Sequence, residues 1–162
     1  MPVIQHIEIQ ENDIVNKLNT GLADPNVEVE VLPETEDAFQ RPYQKGRISV
    51  CYNMSKFGEV STLSLIRQED AMEFHIIIQA RKLRDTHGIF DLFNKVKKII
   101  IGFTPTHCGR IYAKSFDFEE RFKDVWVYSF KVCCKNLLVE NYDTDSDQLA
   151  PELNSVTFNN VP

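Results

Sequence analysis

The sequence predicts an α+β domain: a mostly antiparallel β-sheet with two main α-helices packed on one face, extended loops and a C-terminal tail. Three observations lead there. Ile89, Phe90, Leu92, Phe93, Val96, Ile99 and Ile100 recur at spacings of three and four, one apolar stripe of a helix. After Gly102-Phe103-Thr104-Pro105 the period changes to two, with Tyr112, Lys114, Phe116 and Phe118 alternating against Ile111, Ala113 and Ser115. Strand patterns come in a run and helical patterns stand apart from them, which is the order of an α+β chain rather than of alternating βα units.

The elements follow in order. Ile7, Ile14, Val15, Leu18 and Leu22 make a partial helical stripe from about Ile7 to Thr20, with Gly21 as its stop. Asp24-Pro25-Asn26 is turn chemistry, and Val27, Val29 and Val31 then alternate with Glu28 and Glu30 as a strand with one wet face. From Pro33 to Gly46 acidic groups, two prolines and the apolar pair Phe39 and Tyr43 exclude regular structure over the whole length. That segment reads equally well as a flap with its aromatics tucked in or as an arm docking on a neighbour. Ile48, Val50 and Tyr52 form a second strand and Val60 to Arg67 a third, leaving Asn53 to Gly58, with Met54 and Phe57, as a hairpin tip or partner-reaching insertion. Met72, Phe74, Ile76 and Ile78 alternate with Glu73, His75 and Gln79, and the extra apolar Ile77 on the outer row points to a strand covered on both faces. Asp85 or Thr86 caps the long helix and Gly102 with Pro105 ends it. Trp126, Tyr128, Phe130 and Val132 close the sheet behind a polar turn at Glu119 to Asp124. Phe93, Gly102, Phe103, Pro105, Trp126, Tyr128 and Phe130 are the expected structural residues.

At 162 residues the chain is long enough for one core, and the expected division is a single domain over 1–139 with an acidic, flexible tail or arm over 140–162. No apolar run approaches the ~18 residues of a membrane span, and Met1 to His6 lacks a secretory pattern, so membrane insertion is not expected and synthesis in a cytoplasm is. Cys51, Cys108, Cys133 and Cys134 are read as small buried hydrophobes rather than a disulfide framework. The net charge of −6 is unevenly spread, with an acidic first half, a basic stretch over 81–135 and an acidic end. Opposite patches of this kind are either ordinary solvated surface or what a protomer needs to attract its own neighbour head to tail. Arg81, Lys82 and Arg84 have no glycine-rich turn beside them, so they read as solvated or intersubunit groups rather than a phosphate site. No cofactor, metal or catalytic motif is identifiable. A Cys/His-dependent enzyme built on His75, His107 and Cys108 is the alternative from another class.

The N-terminal amphipathic helix, the strand at Met72–Ala80, the helix ending in Gly102-Phe103-Thr104-Pro105 and the strand Trp126-Val127-Tyr128-Ser129-Phe130 together resemble the tail terminator (tail completion) proteins of contractile-tailed, Mu-like phages and related contractile injection systems. The resemblance covers roughly residues 5–137 by element order. It implies a non-enzymatic virion protein of the tail and neck, assembled in the host cytoplasm. Such a protein forms a homo-oligomer, a hexameric ring, that caps the tail tube, stops its polymerisation and meets tube, sheath and neck or connector proteins. DNA then passes through the lumen without specific binding. Within the same assembly the alternative is another neck or head-completion connector. Phe39, Tyr43, Met54, Phe57, Arg81, Lys82 and Arg84 are the expected partner contacts. Trp126→Ala is expected to cost roughly 3–5 kcal/mol if that ring is buried.

Overall fold

The computed structural model describes residues 6–61 and 64–140. Its elements are α1 (His6–Leu22), β1 (Val27–Val31), α2 (Glu36–Phe39), β2 (Gly46–Phe57), β3 (Arg67–Ala80), α3 (Ile89–Ile100), β4 (Tyr112–Phe122) and β5 (Val125–Val139). The strands form one sheet in the order β1-β2-β3-β5-β4, parallel between β1 and β2 and antiparallel elsewhere. The fold is α+β, as the periodicities require. The expected tail over 140–162 lies, apart from Glu140, outside the described residues.

Period-two alternation decides which face of the sheet is the core. Ile48, Val50 and Tyr52 of β2 stand opposite Ile78, Ile76 and Phe74 of β3. On the other side of β3, Ile76, Phe74 and Met72 pair with Phe130, Val132 and Cys134 of β5. Ile14 and Leu18 of α1 and Ile89, Leu92, Val96 and Ile100 of α3 close over these rows, and all of these helical residues are fully buried. Each such aliphatic side chain stabilises by about 1.5–3 kcal/mol through burial.

Several expectations are corrected by tertiary pairing. Val60 to Arg67 is not a strand: β2 runs on to Phe57, whose partner is Asp70, and residues 58–66 make the connection. Asn53 to Lys56 look like turn residues, but a twelve-residue ladder against β3 outweighs that local preference. The long helix is capped by neither Asp85 nor Thr86. Its N-cap is Gly88, after Asp85 and His87 with φ of 69° and 65°, and Asp91 accepts the His87 N–H at 3.0 Å. β4 continues through Phe122, so the hairpin turn is Lys123-Asp124, with Lys123 at φ 53°.

Gly21 does not stop α1, which continues to Leu22. Its function is close packing: a Cβ there would stand 2.8 Å from three side-chain atoms of Ile99 on α3. The cysteine reading is also revised. Cys108 and Cys134 form a disulfide, whereas Cys133 is buried and Cys51 half-buried as free thiols. The loop after α3 is brought onto β5 by backbone bonds, Gly109 N–H to Lys135 O and Ile111 N–H to Phe103 O, both 2.8 Å, and this delivers Cys108 to its partner.

Gly21→Ala should overpack the α1–α3 contact and cost about 1–3 kcal/mol. Urea unfolding of the two proteins measures it, and equal midpoints would show that Ile99 can move aside at no cost.

Candidate interaction surfaces

The sheet face turned away from α1 and α3 is polar yet largely covered. Arg47 and Ser49 of β2, Glu73 and Gln79 of β3, and Ser129 of β5 are all buried there. Ile77 lies between Ser49 and Ser129 in the register, so β3 is central and covered on both faces, as its outer apolar residue suggested.

Arg47 organises the upper part of this face. Directly before the inward Ile48, it points outward, where its guanidinium donates to the carbonyls of Phe39 and Arg41. The two donations hold α2 and residues 39–42 against the sheet. Glu30 lies 3.5 Å from Arg47 Nε, and Arg41 bonds Glu28 and Glu30, both at 3.0 Å. Tyr43 lies with its ring 5.0 Å from the Arg47 guanidinium and 5.9 Å from that of Arg81. Of the two readings of the Pro33–Gly46 segment, the tucked flap is the one observed, with Phe39 and Tyr43 half-buried on their own domain.

Between this flap and the β4–β5 hairpin lies a cleft of about 440 Å³, lined by Phe39, Tyr43, Gln79, Phe122, Val125 and Val127, with Arg47 at its base. Tyr43 OH, Arg47 Nε and Gln79 Oε1 are buried polar atoms without a hydrogen-bond partner. Unpaired groups of this kind cost about 1–3 kcal/mol each, so the cleft is built to receive donors and acceptors from elsewhere.

Lower on the same face Glu73 is buried beneath three donors. Lys114 reaches it, His75 Nε2 lies at 2.9 Å and Asn53 Nδ2 at 3.1 Å. Lys114 gets there because β4 bulges between Ala113 and Ser115, turning the extra residue toward β3. Burial pushes the Glu73 carboxyl up, but the hydrogen bonds from Lys114, His75 and Asn53 outweigh it and hold the pKa at about 2.

At the far end of the sheet β2, β3 and β5 outrun both helices and form a three-stranded tongue. Met54 and Phe57 of β2, Leu137, Leu138 and Val139 of β5, and Val60 and Ile66 of the connecting loop are all exposed there, up to 54% for Phe57 and 57% for Leu137. The tip is tied by Glu140 N–H to Ile66 O at 2.9 Å and by Ile66 N–H to the Glu140 carboxylate at 3.1 Å.

The remaining expected residues fall into place around this frame. Arg81, Lys82 and Arg84 are exposed at the cleft end of the sheet, with Arg84 5.9 Å from the Phe90 ring. Phe93 stacks on Phe116 at 3.8 Å and meets Phe130 edge-on at 5.1 Å. Phe130 and Pro105 are buried, whereas Phe103, Tyr128 and Trp126 are half-buried. Trp126 lies under the Arg121 guanidinium at 4.6 Å, and its truncation is accordingly expected to cost less than a fully buried ring would. Gly102 adopts φ 87°, a conformation glycine takes without strain, and donates to Ile111 O at 2.8 Å.

The groups that a Cys/His enzyme would need are not gathered. His75 sits beside Glu73 on the outer face, His107 stacks on His6 at 4.7 Å, and Cys108 is bonded to Cys134 of the core. Among the described residues no cluster of three or more His, Cys, Asp or Glu could hold a metal ion, and no helix is long and apolar enough to cross a membrane.

A family model described as Gp37 protein matches residues 14–160, nearly the whole chain. The chain belongs to the Gp37 family. Among curated proteins none matches this Gp37 chain. Of solved structures, it is similar to a chain from the virion of a native gene transfer agent particle, with 11% identity and a TM-score of 0.42 over 79% of this chain and 92% of that one.

Two of these interactions can be tested directly. Because the Glu73 pKa lies below its ordinary value, its contribution is present in full above about pH 4.5 and is lost as pH falls toward about 2. The shift corresponds to about 3 kcal/mol. Acid unfolding of Glu73→Gln should therefore lack the loss of stability that the native protein shows across that window. Replacing Arg47 with Met should release the flap, so that trypsin cleaves after Arg41 and Lys45 sooner than in the native chain; unchanged cleavage would mean that the flap is held by other contacts.

Proposed function

We propose that this Gp37-family protein is a virion structural component, a ring-forming tail terminator that caps the tail tube and joins the tail to the neck or head. The observation that carries the reading is the apolar tongue. Seven of the twelve exposed large hydrophobics among the described residues gather at this one end, a patch of the kind that marks a contact surface rather than a freely solvated monomer. The resemblance of the helix end Gly102-Phe103-Thr104-Pro105 and the strand Trp126–Phe130 to tail terminators supports the same reading.

In this reading termination is geometric. A ring whose one face matches the last tube layer, and whose other face offers a different surface, leaves the next layer with no complementary site. Six copies around the tube axis match the sixfold order the resemblance implies. With a net charge of −6 on each subunit, the lumen repels the DNA backbone and lets it slide. Partner contacts fall at Met54 and Phe57 on the tongue, at Phe39 and Tyr43 on the flap, and at Arg81, Lys82 and Arg84 on the opposite end. The fold works here as a binding surface rather than as a catalyst.

A second reading, a neck or head-completion connector, uses the same surfaces. Particles assembled without this protein separate the two. Tubes of irregular, excessive length are expected of a missing terminator, whereas uniform tubes detached from filled heads would indicate a connector. Uniform tubes still joined to filled heads would rule out both.

A further inference from the structure

The tongue and the cleft lie at opposite ends of the same strands. In the β3–β5 ladder Arg67 pairs with Val139 at the tongue and Ala80 with Trp126 at the cleft. The fourteen residues of β3 put about 45 Å between the two ends, so the tongue cannot reach the cleft of its own molecule.

Each end lacks what the other has. Leu137, Leu138 and Val139 are consecutive on a strand, so their side chains point to both faces of the tongue, and all three are exposed. A run of that kind belongs to a strand covered on both sides. With exposures of 37–57%, the seven apolar residues of this end present roughly 600 Å² at roughly 150–200 Å² per side chain. A stable contact needs about 800 Å² per partner, which the polar margin of the tongue supplies. The cleft offers apolar walls at Phe39, Phe122 and Val127 and buried polar atoms on Arg47, Gln79 and Tyr43 that lack partners. Arg47 Nε needs a carbonyl and Gln79 Oε1 needs an N–H, and an incoming chain edge carries both.

Charge sorts the same way. The tongue end holds Glu59, Glu69, Asp70 and Glu140, and the sequence beyond it adds Asp143, Asp145, Asp147 and Glu152 with no basic residue. Around the cleft end stand Arg41, Lys45, Arg81, Lys82, Arg84 and Lys123. Opposite potentials favour a tongue-to-cleft approach and disfavour tongue to tongue.

We propose that the tongue of one copy docks into the cleft of the next, a heterologous head-to-tail contact between identical chains. This deepens the ring reading, on which it rests only for closure into a ring. The full-length protein should associate with rising concentration in analytical ultracentrifugation. Leu137→Asp on the tongue and Phe122→Asp on the cleft rim should each weaken association at least about 30-fold, the loss of one central anchor, with unchanged circular dichroism. A mixture of the two variants should restore dimers and nothing larger, because one intact tongue then meets one intact cleft. Leu137→Ser and Phe122→Ser serve if the aspartates disturb folding. A native chain that remains monomeric up to about 1 mM, variants that associate like the native chain, or a mixture that stays monomeric would each overturn the contact. Association unaltered by the variants would remove this contact and leave the terminator reading standing on the particle phenotype.

Discussion

The fold depends on β3 being buried on both of its faces. On one side Met72, Phe74, Ile76 and Ile78 lie under the helices, where exclusion of water from aliphatic surface is the driving force. The other side carries Glu73, His75 and Gln79, groups that dislike burial, and it is closed by different means. Arg47 draws the flap down at one end, and Lys114, delivered by a bulge, neutralises Glu73 further along. A strand held between an apolar layer and an ionic one cannot slip by one residue, because the slip would place Glu73 among the isoleucines.

This division of labour also locates the unsatisfied chemistry. The helix side is a closed core, with Phe93, Phe116 and Phe130 in direct ring contact. The outer side ends in a cleft where Arg47 and Gln79 retain unpaired atoms, and in a tongue whose hydrophobic residues face water. Both lie outside the reach of α1 and α3, since β2, β3 and β5 are longer than the helices that cover them. Excess strand length beyond the core is what gives the molecule surfaces to share.

The parts legible in the sequence were those where local pattern and tertiary environment agree. Val27 to Val31 alternates cleanly and is a strand over those same residues; Ile89 to Ile100 keeps one stripe and is a helix; Ile77 on the outer row of β3 announced a strand covered on both sides. Where the two conflict, pattern failed. Asn53 to Lys56 carry turn-forming residues but are held in a ladder, and Asp85, a good cap by type, takes a left-handed conformation one turn too early. The Cys108–Cys134 bond joins residues whose spacing carries no signature. Arg47 was missed because a cation beside an apolar strand residue normally faces solvent. The signal was present in Glu28 and Glu30, which alternate on the neighbouring strand and need a buried or bridging cation.

The outermost strand, β4, interrupts its ladder twice, once at Lys114 and again between Phe118 and Glu120. Its free rim therefore presents an uneven row of amides flanked by Asp117, Glu119, Glu120 and Arg121. Sheets of different molecules fuse along flat, regular borders, and this border is neither. A polypeptide made in large numbers inside an infected or producing cell is thereby protected from stacking into fibrils while it waits for its place in the particle.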